Sequence, residues 1–142
     1  MIEVLSPEGI VLDGQATGQW QAIEEAGRIL VRLGAVEESY VAAMHEREES
    51  VSTYMGNGLA IPHGTNEAKS AIKQTAISFV RYAEPLDWNG KPAFFVVAIA
   101  GAGDDHLKVL QSLAGAFTDD RRIGLLMEAE TPEDVIAVLS PE

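Results

Sequence analysis

The spacing of apolar residues predicts two helices in the first third of the chain. Between residues 19 and 33, apolar positions recur every three or four residues, as on the buried face of a helix, and Gly34 supplies a stop signal. A second helix is predicted over residues 37–48. At roughly 100° per residue, Arg47 falls on its inward stripe and His45 on its outward side. We therefore expect His45 to be a surface residue without a functional role.

Short apolar runs and turn signals predict the strands. Residues 59–61 and 95–100 are uninterrupted apolar segments, and the second is typical of a central strand that is buried on both faces. Residues 75–82 alternate in polarity and are rich in β-forming side chains, which also indicates a strand. The dipeptide Asn89-Gly90 lies between two further strand-like segments and favours a two-residue hairpin turn.

The remaining segments are predicted to form a loop and further helices. Residues 50–58 are expected to form a loop, and residues 66–71 a short helix for which Thr65 is the cap. Asp104 or Asp105 can cap a third long helix. The inward side chains of this helix are expected to be Leu107, Leu110, Leu113, Ala114 and Phe117.

Two helices are predicted near the C-terminal end, one around residues 121–128 and one that begins at Pro132, where proline suits the first helical turn. A short strand-like piece covers residues 10–12. No linker, repeat or low-complexity segment interrupts the chain. These patterns predict a single α/β domain over residues 1–142, with a mixed, partly parallel β-sheet flanked by helices.

Composition and charge narrow the functional classes. The chain has 142 residues, of which 46% are hydrophobic and 23% charged, as in ordinary globular proteins. Its net charge is −12, and it lacks the clustered Lys and Arg that nucleic-acid binding requires. It has no cysteine, which excludes disulfides, thiolate catalysis and cysteine zinc sites. Because neither a signal-peptide pattern nor an apolar run of about 20 residues is present, we expect a soluble, cytoplasmic protein.

The segment 52–64, Ser-Thr-Tyr-Met-Gly-Asn-Gly-Leu-Ala-Ile-Pro-His-Gly, holds the strongest candidate for chemistry. Its apolar run stops at Pro62 and leads directly into His63 and Gly64. A strand that ends in this way presents its last side chain at a sheet edge, where glycine lets a bulky group approach the backbone. Because the ordinary pKa of histidine is about 6.5, His63 can act as a neutral nucleophile near pH 7. The amide of Gly64 and those that follow it could hold a phosphate.

A second histidine, His106, follows the other apolar strand and its glycine-containing loop. If residues 59–61 and 95–100 form parallel strands, their carboxyl ends meet at one edge of the sheet. His63 and His106 then become neighbours, although 43 residues separate them. The dipole of the helix opposes protonation of His106, whereas the two aspartates before it favour protonation. Its charge state therefore stays open.

Arg47 completes a candidate set for phosphoryl transfer, a reaction that depends mainly on positioning and electrostatics. Its planar guanidinium group can contact a phosphoryl group through several donors. Because three glutamates surround it in the sequence, the alternative is a surface arginine in ordinary ion pairs. His106 could donate a hydrogen bond to the phosphoryl group or orient the ring of His63. Neither a Gly-x-x-x-x-Gly-Lys-Ser/Thr loop nor a carboxylate cluster suited to magnesium is present.

The segments around these residues resemble the mannitol/fructose-type IIA component of the bacterial phosphoenolpyruvate-dependent sugar phosphotransferase system. The resemblance is carried by Gly-Asn-Gly-Leu-Ala-Ile-Pro-His-Gly at residues 56–64, by Arg47 ahead of a Ser-Thr pair, and by His106 before a Leu-containing helix. It implies the mannitol-type IIA fold and His63 as the phosphorylated residue. Such proteins accept phosphate from the phosphohistidine of HPr and pass it to a cysteine of a IIB component. No metal, nucleotide or other cofactor is implied.

The residues on either side of the Pro-His-Gly step favour the mannitol type, since Ser-Thr-Tyr-Met-Gly precedes it and Gly-Thr-Asn-Glu-Ala-Lys follows it. We therefore expect a freestanding phosphocarrier whose IIB partner is another chain. The nitrogen-regulatory branch shares Gly-Asn-Gly-x-Ala-Ile-Pro-His-Gly and is the alternative, in which phosphorylation changes the partners that are bound. A histidine-dependent metal hydrolase is a weaker alternative, because His45, His63 and His106 lack a local ligand spacing such as His-x-x-x-His.

Overall fold

The computed structural model describes residues 4–139, in which five strands form one mixed sheet. The strands are β1 (Ile10–Val11), β2 (Tyr54–Gly56), β3 (Leu59–Ala60), β4 (Ala76–Trp88) and β5 (Lys91–Ala100). Their spatial order is β1-β4-β5-β3-β2. The pairs β1–β4 and β3–β5 are parallel, whereas β4–β5 and β2–β3 are antiparallel. The expected mixed, partly parallel sheet is therefore confirmed.

Five α-helices cover the two faces of this sheet. They are α1 (Gln19–Arg32), α2 (Ser39–Ser50), α3 (Asp105–Phe117), α4 (Asp120–Glu128) and α5 (Pro132–Leu139), and two short 3-10 helices cover Pro7–Gly9 and Asn66–Ala71. Val80, Val96 and Ala98 pack into a core with α1 and α2. Phe79 and Phe95 pack into a second core with α3, α4 and α5. Since strand side chains alternate between faces, one continuous apolar run in β5 serves both cores.

The predicted hairpin is present between β4 and β5. Asn89 and Gly90 both have positive φ angles, 55° and 90°, as a primed two-residue turn requires. The antiparallel pairing that follows extends from Trp88 beside Lys91 to Ala76 beside Ala100, with one irregularity between Arg81 and Leu86. The two strands are longer than the alternating pattern indicated, because the irregularity lets β4 continue through Pro85.

The expected loop over residues 50–58 is partly wrong, because Tyr54–Gly56 forms β2 and pairs with β3. The turn between them is Asn57-Gly58, whose φ angles are 54° and 79°. This is the same turn chemistry that identified the other hairpin, but here the flanking strands have only three and two residues. Strands this short leave too little alternation in the sequence to be seen.

The expected orientation of α3 is also wrong in part. Val109, Leu113, Ala116 and Phe117 are its buried side chains, whereas Leu107 is 64% exposed. The buried stripe is therefore rotated from the predicted one, and Leu107 lies at the surface next to His106. Neither Asp104 nor Thr65 makes a side-chain capping bond, although each occupies the N-cap position of its helix.

Two remaining predictions concern the surface and the membrane. His45 is half-buried against α1 rather than fully at the surface, with its ring stacked on Trp20 at a centroid distance of 6.0 Å and its Nε2 3.1 Å from Glu24 Oε1. Among residues 4–139, no helix combines the length and the apolar character needed to cross a membrane.

Candidate functional site

His63 stands at the carboxyl end of the sheet, as its place after a strand predicted. Beyond β3 the chain continues beside β5, since the amide of Ile99 donates to the carbonyl of Pro62 at 2.9 Å and His63 pairs with Ile99 in parallel. Gly64 then turns away against the ring of Tyr40. A Cβ atom on Gly64 would lie 2.6 Å from that ring, so only glycine allows this approach.

The hydroxyl group of Tyr40 joins three elements next to His63. It donates a hydrogen bond to the carbonyl of Ile99 at 2.8 Å and accepts one from the amide of Gly64 at 2.9 Å. Burial raises the pKa of Tyr40, so the hydroxyl group keeps its proton and both bonds persist. Sequence reasoning missed this residue, because an inward Tyr on a helix is usually a core residue.

The imidazole of His63 is oriented by its own backbone. Its Nδ1 lies 2.8 Å from the carbonyl oxygen of Ile61, and because a carbonyl can only accept, Nδ1 carries the proton. Nε2 of the neutral ring is then left with a free electron pair. Burial lowers the pKa of His63 below its ordinary value, and the charges of Arg47 and Lys69 act in the same direction. The neutral, nucleophilic form therefore prevails near pH 7.

His106, in the first turn of α3, lies directly beside His63. Their ring centroids are 4.8 Å apart, with an angle of 57° between the planes. The parallel pairing of β3 with β5 thus brings together the two histidines that sequence reasoning had linked. Burial, reinforced by the neighbouring His63, lowers the pKa of His106 to about 4. This shift favours the uncharged form of His106 near pH 7.

The loop before α3 sets the position of His106. Gly101 packs so closely that a Cβ atom on it would lie 2.6 Å from the Cα of His106. The hydroxyl group of Thr75 donates to Asp105 Oδ2 at 2.7 Å and accepts from the amide of Ala102 at 3.0 Å. Asp105 therefore does not cap the helix as predicted, but ties its first turn to the start of β4.

Arg47 faces the same cleft from the last turn of α2. Its Nη1 donates to the carbonyl of Val51 at 2.6 Å, which fixes one edge of the guanidinium group. None of the salt bridges within residues 4–139 includes Arg47, so the surface ion-pair alternative finds no support there. The remaining donors of the guanidinium group are available to a ligand in the cleft.

Glu48, which follows Arg47, is a buried carboxylate that sequence reasoning did not single out. It is 4% exposed. It accepts hydrogen bonds from Gln19 Nε2 and Trp88 Nε1, both at 2.9 Å, and from the amide and hydroxyl groups of Thr53 at 3.1 and 2.5 Å. These bonds hold the end of α2 and the chain beyond it in place. A signal was present, since Glu48 lies one helical turn after the buried Met44.

The cleft between these residues has a volume of about 270 Å³. Tyr40, Arg47, His63, Gly64 and His106 line it, together with the unpredicted Lys69. No group of three or more His, Cys, Asp or Glu side chains among the described residues is arranged to hold a metal ion. The cleft thus combines the free Nε2 of His63 with cationic donors, a set suited to an anionic group.

Comparison with known proteins agrees with this arrangement. Residues 3–141 match the family described as phosphoenolpyruvate-dependent sugar phosphotransferase system, EIIA 2. The chain belongs to this EIIA 2 family. It is similar to the mannitol-specific phosphotransferase enzyme IIA component of Staphylococcus aureus strain Mu50, with 40% identity over 135 residues that span 95% of this chain and 94% of the relative.

Solved structures show the EIIA 2 fold in two functional settings. The Escherichia coli complex of mannitol enzyme IIA with phosphorylated mannitol enzyme IIB matches with a TM-score of 0.89 and 34% identity, over 96% of this chain and 97% of that one. The nitrogen regulatory protein IIA-Ntr of Neisseria meningitidis matches with a TM-score of 0.84 and 33% identity, over 98% of both chains. The expected mannitol-type IIA fold is confirmed, and both branches share it.

We expect Glu48→Gln to destabilise the protein, because an amide NH2 group would replace one acceptor among four inward-facing donors. A loss of about 1–3 kcal/mol in the free energy of unfolding is predicted from the cost of an unmatched buried polar group, measurable by urea denaturation. Glu46→Gln is the matched control, since Glu46 is exposed on the same helix. Equal stability of the two variants would contradict the role given to the Glu48 network.

Titration of the histidine rings by NMR should give a pKa of about 4 for His106 and a pKa below 6.5 for His63. Both values follow from burial, which disfavours the charged ring. The 15N shifts of His63 should also show the proton on Nδ1 at pH 7. A pKa of His106 at or above 6.5, or a proton on Nε2 of His63, would contradict the described site.

Proposed function

We propose that this protein is a phosphocarrier of the sugar phosphotransferase system that holds a phosphoryl group on Nε2 of His63. The observation that carries the proposal is the hydrogen bond from His63 Nδ1 to the carbonyl of Ile61. It fixes the tautomer, so that the free electron pair lies on the other nitrogen. A nucleophile with a fixed ring and a lowered pKa is prepared for covalent catalysis without a separate base.

In the proposed reaction the donor is the phosphohistidine of HPr. The Nε2 electron pair of His63 forms a bond to phosphorus while the donor's P–N bond breaks. The electron pair of the broken bond stays on the donor nitrogen. His63 keeps its Nδ1 proton and its bond to Ile61 throughout. The second transfer, to a cysteine of a IIB component, reverses the roles. The complex of a related mannitol enzyme IIA with phosphorylated enzyme IIB supports IIB as the partner class.

Arg47 and His106 have complementary proposed roles. The guanidinium group of Arg47 contacts the phosphoryl oxygens and offsets their charge. Neutral His106 donates one hydrogen bond to the phosphoryl group, which does not require it to be charged. The amide of Gly64 is bound to Tyr40, so Gly64 contributes close approach rather than the free backbone donor that was expected.

The surface around the cleft suits transient partners. Val51 and Leu107, each 64% exposed, flank Arg47 and His106. Apolar side chains at the centre of an interface and charge at its rim are typical of specific but reversible docking. A cytoplasmic location is part of the same proposal, because HPr and the IIB component would be met there.

Mannitol is the proposed sugar of the cognate permease, on the basis of the mannitol-specific relatives. The nitrogen-regulatory function is the second candidate, since a IIA-Ntr structure matches almost as well. Among the solved structures the identities to mannitol IIA and to IIA-Ntr are nearly equal, 35% and 33%, and the transport branch is favoured by the 40% identity to a mannitol-specific relative over 95% of this chain. Transfer from this protein to a mannitol IIB domain, measured beside its binding to regulatory partners, separates the two.

The first functional prediction concerns the acceptor. Incubation with phosphoenolpyruvate, enzyme I and HPr should add one phosphoryl group by intact mass, labile in acid and stable in base, and 15N NMR should place it on Nε2 of His63. His63→Ala should abolish the addition. His45→Ala is the matched control and should retain it, because His45 lies away from the cleft on α2. Label that persists in His63→Ala would overturn the assignment.

The second functional prediction concerns Arg47. Arg47→Lys should fold normally but transfer phosphate more slowly, because a point charge cannot reproduce a planar multi-donor contact. The expected increase in the barrier is on the order of 2–4 kcal/mol, measured by rapid-quench kinetics from phosphorylated HPr. An unchanged rate, at unchanged affinity for HPr, would show that Arg47 has no part in the reaction.

A further inference from the structure

Lys69 lines the cleft from the 3-10 helix Asn66–Ala71, as Arg47 does from α2. Its Nζ donates to the carbonyl of Gly101 at 3.2 Å, which is the long end of the hydrogen-bond range. An ammonium group has three donors, and within residues 4–139 this is the one hydrogen bond described for it. The salt bridges of this part of the chain do not include Lys69.

The charge of Lys69 acts on both histidines. It lowers the pKa of His63 and the pKa of His106, in addition to the larger effect of burial. Glu67 also lines the cleft but forms no described ion pair with Lys69. The cation therefore lines the same cleft as His63, and no carboxylate among residues 4–139 forms a salt bridge with it.

We propose that Lys69 is a third ligand of the phosphoryl group on His63, beside Arg47 and His106, and that it leaves the Gly101 carbonyl to take this role. The inference rests on the proposed function of His63. When the new N–P bond forms and the donor's P–N bond breaks, the three phosphoryl oxygens enter the cleft. The ammonium group then exchanges a neutral carbonyl acceptor for a charged oxygen, which makes a stronger hydrogen bond.

A purely structural role fits Lys69 poorly. The residue is exposed, and a single long bond to a carbonyl from a mobile side chain contributes little to folding. The same bond is informative in another way, because it holds the ammonium group beside the loop that carries His106. The side chain of Lys69 therefore already lies in the cleft in the absence of phosphate. Its flexible stem allows the ammonium group to move into contact with the phosphoryl group.

The test uses potassium phosphoramidate, a small phosphoryl donor that needs no protein docking. Lys69→Met should be phosphorylated about tenfold more slowly than the wild-type protein, as expected for the loss of one hydrogen bond to a charged group. Lys69→Arg should recover the rate to within about threefold, because the charge is restored. Lys73→Met is the matched control, since Lys73 is exposed but does not line the cleft, and it should react at the wild-type rate.

An NMR titration of the unphosphorylated variants provides a readout that does not depend on transfer. Lys69→Met should raise the pKa of His63 and that of His106, whereas Lys73→Met should leave both unchanged. A wild-type rate in Lys69→Met would overturn the inference while leaving the proposed function intact. So would a slow Lys69→Met in which both pKa values stay the same, because Lys69 would then act only through the Gly101 loop. A wild-type protein that takes no phosphate would overturn the proposed function and, with it, the inference.

Discussion

The two hydrogen bonds of the Tyr40 hydroxyl group hold together the elements that form the site. The hydroxyl group connects α2, the end of β5 and the chain after β3 through two hydrogen bonds, to Ile99 and from Gly64. It is a direct link between the segment that carries His63 and the helix that carries Arg47, in addition to the path from Glu48 through Thr53 to Ile61. This arrangement also requires glycine at position 64, since the Cβ atom of any larger residue would clash with the tyrosine ring. The sequence suggested that Gly64 serves phosphate binding, whereas the structure shows that its close contact with Tyr40 requires glycine.

In the cleft, different residues provide the neutral nucleophile and the positive charge. Burial keeps both imidazoles neutral, and the neighbouring His63 adds to this effect at His106, while the positive charge is carried by Arg47 and Lys69. A nucleophile must be unprotonated, but the group that it accepts is anionic, and no single residue can satisfy both needs. Separate cations therefore provide attraction for phosphate without protonating His63. Because this charge sits in a chain of net charge −12, the cleft stands out locally against an acidic surface.

The sequence allowed much of this site to be predicted, and each miss has a physical cause. His63 and His106 follow apolar strands, and Arg47 follows from helix phase, so local pattern was enough once the strands were taken as parallel. Helix phase places Tyr40 and Glu48 on the inward side of α2, but their partners lie 59 and 40 positions away, and no local pattern identifies those partners. The strand β2 was missed because three residues carry almost no periodicity. The predicted buried face of α3 differs from the observed one, because α3 has more apolar residues than its buried face holds and Leu107 remains exposed.

The cations of the cleft are held by weak acceptors, and this suits a carrier better than strong pairing would. Arg47 and Lys69 each bind a backbone carbonyl, whereas the one buried carboxylate nearby, Glu48, is satisfied by neutral donors. If Glu48 were paired with Arg47, the incoming phosphoryl group would have to break a buried ion pair. Because it is not, Arg47 can bind the phosphoryl group with the donors that Val51 leaves free, and Lys69 can exchange its carbonyl for phosphate and return to it afterwards. A phosphocarrier has to release the phosphoryl group as readily as it accepts it. An exchangeable carbonyl partner allows both the acceptance and the release of the phosphoryl group.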